Sequence, residues 1–414
     1  MTISNDFFAS LGFGYHTTVT GQYAALESIK WSQLGCQKSE SQLGNHSTTI
    51  ATSIQQHLQV MRGYDAADLQ ECGYPTMICK DLSDTDWGEL QMMRLGYIVD
   101  GAGEAHLIEV NAQTPSFWWE CETGRQAVLK KLGVTNSDTT QITLKNALKA
   151  MLASAKNWLG NDSGTIGLVV GDAEEDIFQM NWVLQQLKTI DPNLKCEVLT
   201  ISRLDVEKKS HQPFSLNTGS YFDTLFLWYP LEWLATARFQ DEQAVWPALI
   251  QGLKKKKWYL ANWLAAFLVQ NKYFLADLCI QNPSQTVITP TVSTLAEIEQ
   301  ISMHSWIAKP IWGRQGLAVF GNNHGQEFFS DFNDEYYNNQ WYAYQPYFTP
   351  KSLEYRGKSY TYTLEQWVYY DGDTWQSGGS GLRLNLAGES ITNDNSRWLV
   401  IENASEAPIG SLVI

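Results

Sequence analysis

The sequence predicts a mixed α/β (α+β) protein. Three features predict it: a strand–helix–strand unit in the middle of the chain, a pair of strands around a glycine turn before it, and a series of short strands after it. The composition is ordinary for a folded chain of 414 residues, with 44% hydrophobic and 18% charged residues. That length can bury a large core, in roughly two or three packed subdomains. Seventeen Trp and nineteen Tyr point to an aromatic-rich interior.

Each element follows from local pattern. From about Tyr23 to Arg62 the chain reads as helical, with interruptions near Gly35 and Gly44. A polar, irregular stretch runs on through Trp87. Leu90 to Leu95 and Ala105 to Val110 then read as strands joined by a turn at Asp100-Gly-Ala-Gly103. Leu144 to Leu159 is helical and ends in Gly160-Asn-Asp-Ser-Gly164. The β-α-β unit consists of a buried-type strand at Thr165 to Val170, a helix at Ile177 to Ile190 and a strand at Lys195 to Ile201. Asp223 to Trp228 adds a third strand, which argues for a small parallel sheet. Trp246 to Cys279 is rich in helix formers. After Pro290, short strands are expected at Trp306 to Lys309, Leu317 to Phe320, Trp341 to Tyr347, Tyr360 to Tyr370 and Gly378 to Asn385.

Charge and composition exclude several classes. A net charge of −15 argues against nucleic-acid binding through a basic face, and the one basic run, Lys254 to Lys257, reads as a solvated helix face. An acidic surface suits a cationic substrate such as a polyamine, although acidic proteins are commonly just well solvated. No window reaches about 18 uninterrupted apolar residues, so no membrane span is expected. The N-terminus lacks a basic region followed by an apolar one, and the six cysteines show no paired-ligand spacing. A cytoplasmic protein is the expectation.

Three separated segments carry chemistry. Glu109-Val-Asn-Ala-Gln-Thr-Pro115 ends the second predicted strand, where Glu109 and Asn111 alternate onto one face. A carboxylate and an amide oxygen so placed suit Mg²⁺, although alone the pair is equally an ordinary strand end. Lys309-Pro-Ile-Trp-Gly-Arg-Gln-Gly316 sets a lysine and an arginine around a glycine turn that phosphate can approach. Gly381-Leu-Arg383 adds a guanidinium able to stabilise developing negative charge. In this order they read as parts of an ATP-dependent carboxylate ligase.

With these strings, Arg94-Leu95, Glu175-Asp176, Tyr229-Pro-Leu-Glu-Trp233 and Asn271-Lys272, the chain resembles the glutathionylspermidine synthase family. The resemblance runs from Leu11-Gly-Phe-Gly-Tyr-His16 to Ile391-Thr-Asn-Asp-Asn-Ser-Arg397 and covers the ATP-grasp-like synthetase region, without an amidase domain. It implies a permuted ATP-grasp fold with a small parallel pre-ATP-grasp-like β-α-β subdomain and an N-terminal helical segment. The implied division is a helical segment over 1–88, metal-ligand strands over 89–160, the pre-ATP-grasp-like unit over 161–245 and nucleotide-binding lobes over 246–414.

The resemblance also implies chemistry and roles. ATP would phosphorylate a small-molecule or peptide carboxylic acid, and an amine, polyamines included, would attack the acyl phosphate. Glu109 and Asn111 would hold Mg²⁺. Lys272 and Lys309 would contact ATP phosphates, and Tyr344-Gln345 resembles the hinge strand that meets adenine. Arg94 and Arg383 would be catalytic. Thr114, Ser116 and Arg314 would hold the acid, while Glu175, Asp176 and Glu232 would face the amine.

The sequence departs from the family at informative places. Arg-x-Asp, whose aspartate is a further metal ligand, is here Arg94-Leu95-Gly96. Asp100, four residues on, is the nearest carboxylate that could replace it. Asn111-Ala-Gln113, Gly313-Arg-Gln315-Gly316 and Leu384-Asn385 each lack an acid that the family carries, so different substrates from glutathione and spermidine are expected. Two alternatives remain open: an ATP-binding protein without turnover, and a small-molecule kinase.

Overall fold

Strand Met92–Val99 is buried at all eight positions, so it has no solvated face and must lie inside a covered sheet. The computed structural model describes residues 2–14, 17–18, 21–134, 140–160, 164–239, 242, 244–261, 264–284, 286–302, 304–314, 316–329, 335–387 and 396–402. Gln315 of the glycine turn and residues 391–395 lie outside them.

Met92–Val99 belongs to a seven-stranded sheet. Its spatial order is Ala24–Lys30, Arg397–Glu402, Trp375–Leu386, Lys358–Tyr370, Met92–Val99 and Ala105–Asn111, with Leu353–Tyr355 against Lys358–Tyr370. All pairings are antiparallel except that of Ala24–Lys30 with Arg397–Glu402. Ala24–Lys30 corrects the helical reading of that stretch. A parallel partner from the far end of the chain and burial of Ala24 and Ile29 override the local pattern. Helix formation begins at Trp31–Leu34, which Gly35 ends at φ +65°, and resumes at Glu40–Met61 behind a Ser39–Gln42 capping box. Gly44 does not interrupt that helix. It lets the helix approach the large sheet, since a Cβ there would lie 2.4 Å from the Ser377 hydroxyl.

The expected parallel sheet is present, in the order Tyr259–Ala261, Thr224–Trp228, Thr165–Val170, Lys195–Thr200. Helix Glu174–Ile190 makes the crossover between its last two strands. Tyr259–Ala261 falls where helix formers dominate, and its buried pairing with Thr224 to Phe226 makes it a strand. A third, antiparallel sheet runs Gln326–Phe329, Phe320–Asn323, Ser305–Pro310, Tyr342–Pro346. Here Gly316 to Ala318 forms a turn where the expected strand would begin, with Ala318 at φ +54°, and the strand starts only at Phe320. Among the described residues no helix is long and apolar enough to cross a membrane.

One aromatic stack joins the first two sheets. Trp118 stacks on Trp367 of the large sheet at 4.9 Å between centroids and on Trp228 of the parallel sheet at 5.9 Å. Its indole N–H donates to the Tyr369 hydroxyl at 2.7 Å, and Tyr369 donates to Glu122 at 2.8 Å. Trp118→Ala is expected to lose about 3–5 kcal/mol in chemical denaturation because the void would lie between two sheets that cannot collapse. An unchanged unfolding midpoint would contradict that role.

Candidate active site

The cross-strand register sets the floor of a cavity of about 1040 Å³. Asn111 pairs with Arg94 and Arg94 with Trp367; Glu109 pairs with Gly96, Gly96 with Glu365, and Glu365 with Gly381. Strand period 2 therefore brings Glu109, Asn111, Arg94, Glu365 and Arg383 to one face, where all five line the cavity. Glu109 and Arg94 keep this register although a bulge follows at Gly96/Tyr97.

Arg94 is buried and engaged on three sides. Its Nη1 donates to the Ser116 carbonyl at 2.9 Å, its Nη2 to Glu109 Oε1 at 3.3 Å, and its Nε lies 3.2 Å from Glu365 Oε2. Asn111 Nδ2 donates to the same Glu109 oxygen at 2.7 Å. Burial pushes the Glu109 carboxyl up, but Arg94, Lys272, Lys309 and the Asn111 amide together hold it below the usual range. Arg383 lies over the Phe117 ring at 4.7 Å. Burial disfavours its charge, yet Glu365, Tyr23, Glu109 and Glu120 outweigh that and raise its pKa. Phe117 itself sits at φ +71°, a costly backbone for an aromatic residue that its buried packing maintains.

The opposite wall carries the lysines. Lys309 Nζ donates to the Ile108 carbonyl at 2.8 Å and to Gln345 Oε1 at 3.0 Å; Gln345 in turn donates to Thr291 at 3.0 Å. Lys272 Nζ donates to the Gly313 carbonyl at 2.5 Å. Burial lowers both ammonium groups to about 8, with Glu109 only partly opposing it. Tyr344 does not share the cavity. Its backbone N–H and C=O are both paired with Val292, and its ring packs edge-on against Trp306.

Arg314 spans the third side. It donates to Thr114 Oγ1 at 2.8 Å and to Glu232 Oε1 at 2.7 Å, and it lies over Trp233. Glu232 is buried behind this arginine and does not line the cavity, whereas Thr114, Ser116 and Arg314 do. Glu175 and Asp176 reach it from the first turn of helix Glu174–Ile190. Asp176 accepts from the Trp228 indole at 2.9 Å, and burial, with Glu175 beside it, raises its carboxyl to about 6. Asp100 is elsewhere: its carboxylate caps its own turn and pairs with His106 at 2.9 Å.

Two residues escaped the sequence reading. Glu365 lies in the buried strand Lys358–Tyr370, and a lone carboxylate within Tyr-Thr-Leu-Glu-Gln-Trp was the available signal. Gln270 accepts from the backbone N–H groups of Ala112 and Gln113, both at 3.1 Å, and donates to Asn111 Oδ1 at 3.4 Å, so it orients the strand end. Among the described residues no three His, Cys, Asp or Glu side chains form a ready metal cage. Glu109 with the Asn111 amide matches the sparser protein contribution typical of Mg²⁺ held together with phosphate.

Known proteins carry related sequences and folds. A curated Haemophilus influenzae protein named "Putative acid–amine ligase" is 29% identical over 335 residues, covering 78% of each chain. The solved structure of a glutathione synthetase-like effector from Globodera pallida superposes with a TM-score of 0.57 at 12% identity, covering 97% of this chain and 96% of that one, a likeness of fold. The profile of the family described as glutathionylspermidine synthase preATP-grasp matches residues 3–400. With its match running through the strands, turns and helices that line the cavity, the chain belongs to the glutathionylspermidine synthase family.

Proposed function

We propose that the chain is an ATP-dependent carboxylate–amine ligase that forms an amide through an acyl phosphate. The observation that carries this reading is the convergence of Lys272, Lys309, Arg94 and Arg383 on the cavity that also holds Glu109 and Asn111. Four cations around one carboxylate–amide pair suit a polyphosphate bound with its metal. In this reading the fold is a permuted ATP-grasp, in which the metal-ligand strand precedes the nucleotide lysines.

Lys272 and Lys309 draw the phosphates into the cavity, and Gln345 orients Lys309. Glu109 and Asn111 would hold Mg²⁺, which when bound would neutralise charge on the nucleotide phosphates. The acid binds through Arg314, Thr114 and Ser116, with Glu232 holding the guanidinium in place. One of its carboxylate oxygens attacks the γ-phosphorus and ADP leaves. The amine nitrogen then attacks the acyl carbon, loses a proton, and phosphate departs. Arg94 and Arg383 stabilise charge on the oxygens in both steps. Glu175 and Asp176 face the amine. Engagement of Glu232 by Arg314 removes one carboxylate from that side, which favours an amine less charged than a polyamine.

Measuring ADP release against panels of peptides, small acids and amines tests the reading. Release that requires both an acid and an amine supports a ligase. Release with one acceptor alone marks a kinase, and tight ATP binding without release marks a protein that lacks turnover.

Lys309→Ala is expected to weaken ATP binding about 10- to 150-fold in titration calorimetry, the value of a charged hydrogen bond to phosphate; wild-type affinity would exclude Lys309 from the phosphate site. A pH dependence follows from the depressed lysines. Free lysines of pKa about 8 are protonated below that pH and lose charge above it, whereas bound phosphate raises their pKa. Each lysine should therefore cost about tenfold in affinity for a non-hydrolysable ATP analogue between roughly pH 7 and pH 9, and the two together about a hundredfold. Constant affinity over that range would show that the ammonium groups do not meet the phosphates.

A further inference from the structure

Gly96 is the centre of a three-strand row. Glu109 flanks it on one side and Glu365 on the other, all three on the cavity face. A Cβ built on Gly96 would lie 2.9 Å from Glu109 Cγ, 3.4 Å from Glu109 Oε1 and 3.5 Å from Glu365 Oε2. Both carboxylates thus lean over the space that a side chain at 96 would fill. Gly96 sits beside the bulge but does not adopt a left-handed φ, so the need for glycine is lateral room and not a special turn.

The two carboxylates differ in what they already hold. Glu109, with 32% of its side chain exposed, accepts from Asn111 and Arg94. Glu365 is 3% exposed; its Oε1 accepts from Thr363 Oγ1 at 3.1 Å, while its Oε2 accepts no hydrogen bond although it is fully enclosed. The adjacent Arg94 Nε, 3.2 Å away, faces it as an ion pair without hydrogen-bond alignment. A buried carboxylate oxygen without a donor is costly unless something else satisfies it. A hard cation between Glu109 and Glu365 would do so, and oxygen-only donors are what Mg²⁺ selects.

We propose that Glu365 supplies the second carboxylate of the divalent-cation site, reaching across Gly96 to join Glu109 and Asn111. The inference rests on the ligase reading, which requires metal-bound nucleotide in this cavity. The tight contact at Gly96 is with Glu109, 2.9 Å to its Cγ, while Glu365 Oε2 at 3.5 Å borders the same space in ordinary contact, so the glycine leaves both carboxylates room to face one point. Position 96 carries no carboxylate, and the row still presents two, Glu109 and Glu365.

Mn²⁺ serves as the probe, with free ion counted by electron paramagnetic resonance in the presence of the full chain and saturating ADP. Glu365→Gln, which keeps the shape and removes the charge, should weaken Mn²⁺ binding about tenfold or more while ADP affinity measured in EDTA stays at the wild-type value. The double variant Gly96→Asp/Glu365→Gly returns a carboxylate to the row from the neighbouring strand and should recover Mn²⁺ affinity to within a few-fold of wild type. It also tests the pair should Glu365→Gln not fold. Wild-type Mn²⁺ affinity in Glu365→Gln, or a folded double variant that binds no better than Glu365→Gly alone, would overturn the inference and leave the ligase reading intact. Failure of the wild-type protein to bind Mn²⁺ with ADP would overturn both.

Discussion

The Arg94 guanidinium is buried in the large sheet, shared by Glu109 at 3.3 Å and Glu365 at 3.2 Å, and its third contact is the Ser116 carbonyl at 2.9 Å. A buried charge with partners on every side has one low-energy arrangement, and removing any partner leaves the others uncompensated. The register of the two glutamate strands and the path of the chain at Ser116 are thereby coupled. Thr114 and Ser116, which reach the cavity, and Phe117, which lies under Arg383, are carried on that same path. The ion pairs give the site its geometry more than they give the protein its stability.

Packing beneath the site reinforces that geometry. Trp367, the cross-strand neighbour of Arg94, stacks on Trp118, and Trp118 also meets Trp228 at the end of the parallel sheet. The strand end at Trp228 leads into Tyr229-Pro-Leu-Glu-Trp233, which supplies the carboxylate that holds Arg314. The Arg94 floor and the Arg314 wall of the cavity are therefore referenced to one aromatic stack. Across from them, burial lowers Lys272 and Lys309 to about 8, so both remain charged but poorly solvated at neutral pH, and an arriving polyanion would supply the counter-charge they lack.

Local chemistry was legible in the sequence. Glu109 and Asn111 alternate on a strand, and Lys309 and Arg314 flank a glycine turn; short-range periodicity and turn residues carried both. Long-range pairing was not legible. Ala24–Lys30 has local helical character and becomes a strand only because Arg397–Glu402 lies beside it. Tyr259–Ala261 is three residues long, too short for any periodic signal. Glu232 reads as a candidate amine contact until Arg314, from a distant turn, is seen to engage it. Glu365 is the clearest case, since its meaning depends on lateral register with a glycine whose own signal is the absence of a side chain. In the sequence Gly96 reads as a missing carboxylate; in the fold it is the room into which the Glu109 side chain leans.

Ligase chemistry in this cavity requires that an acid accept the γ-phosphoryl group. Once the acid and amine that support ADP release are known, the acid can be supplied with both carboxylate oxygens labelled as ¹⁸O and the released phosphate analysed by mass spectrometry. An acyl-phosphate route transfers one labelled oxygen, so the phosphate is predicted to be about two mass units heavier. Unlabelled phosphate formed alongside the amide would show that the carboxylate never attacked phosphorus, and would contradict the account.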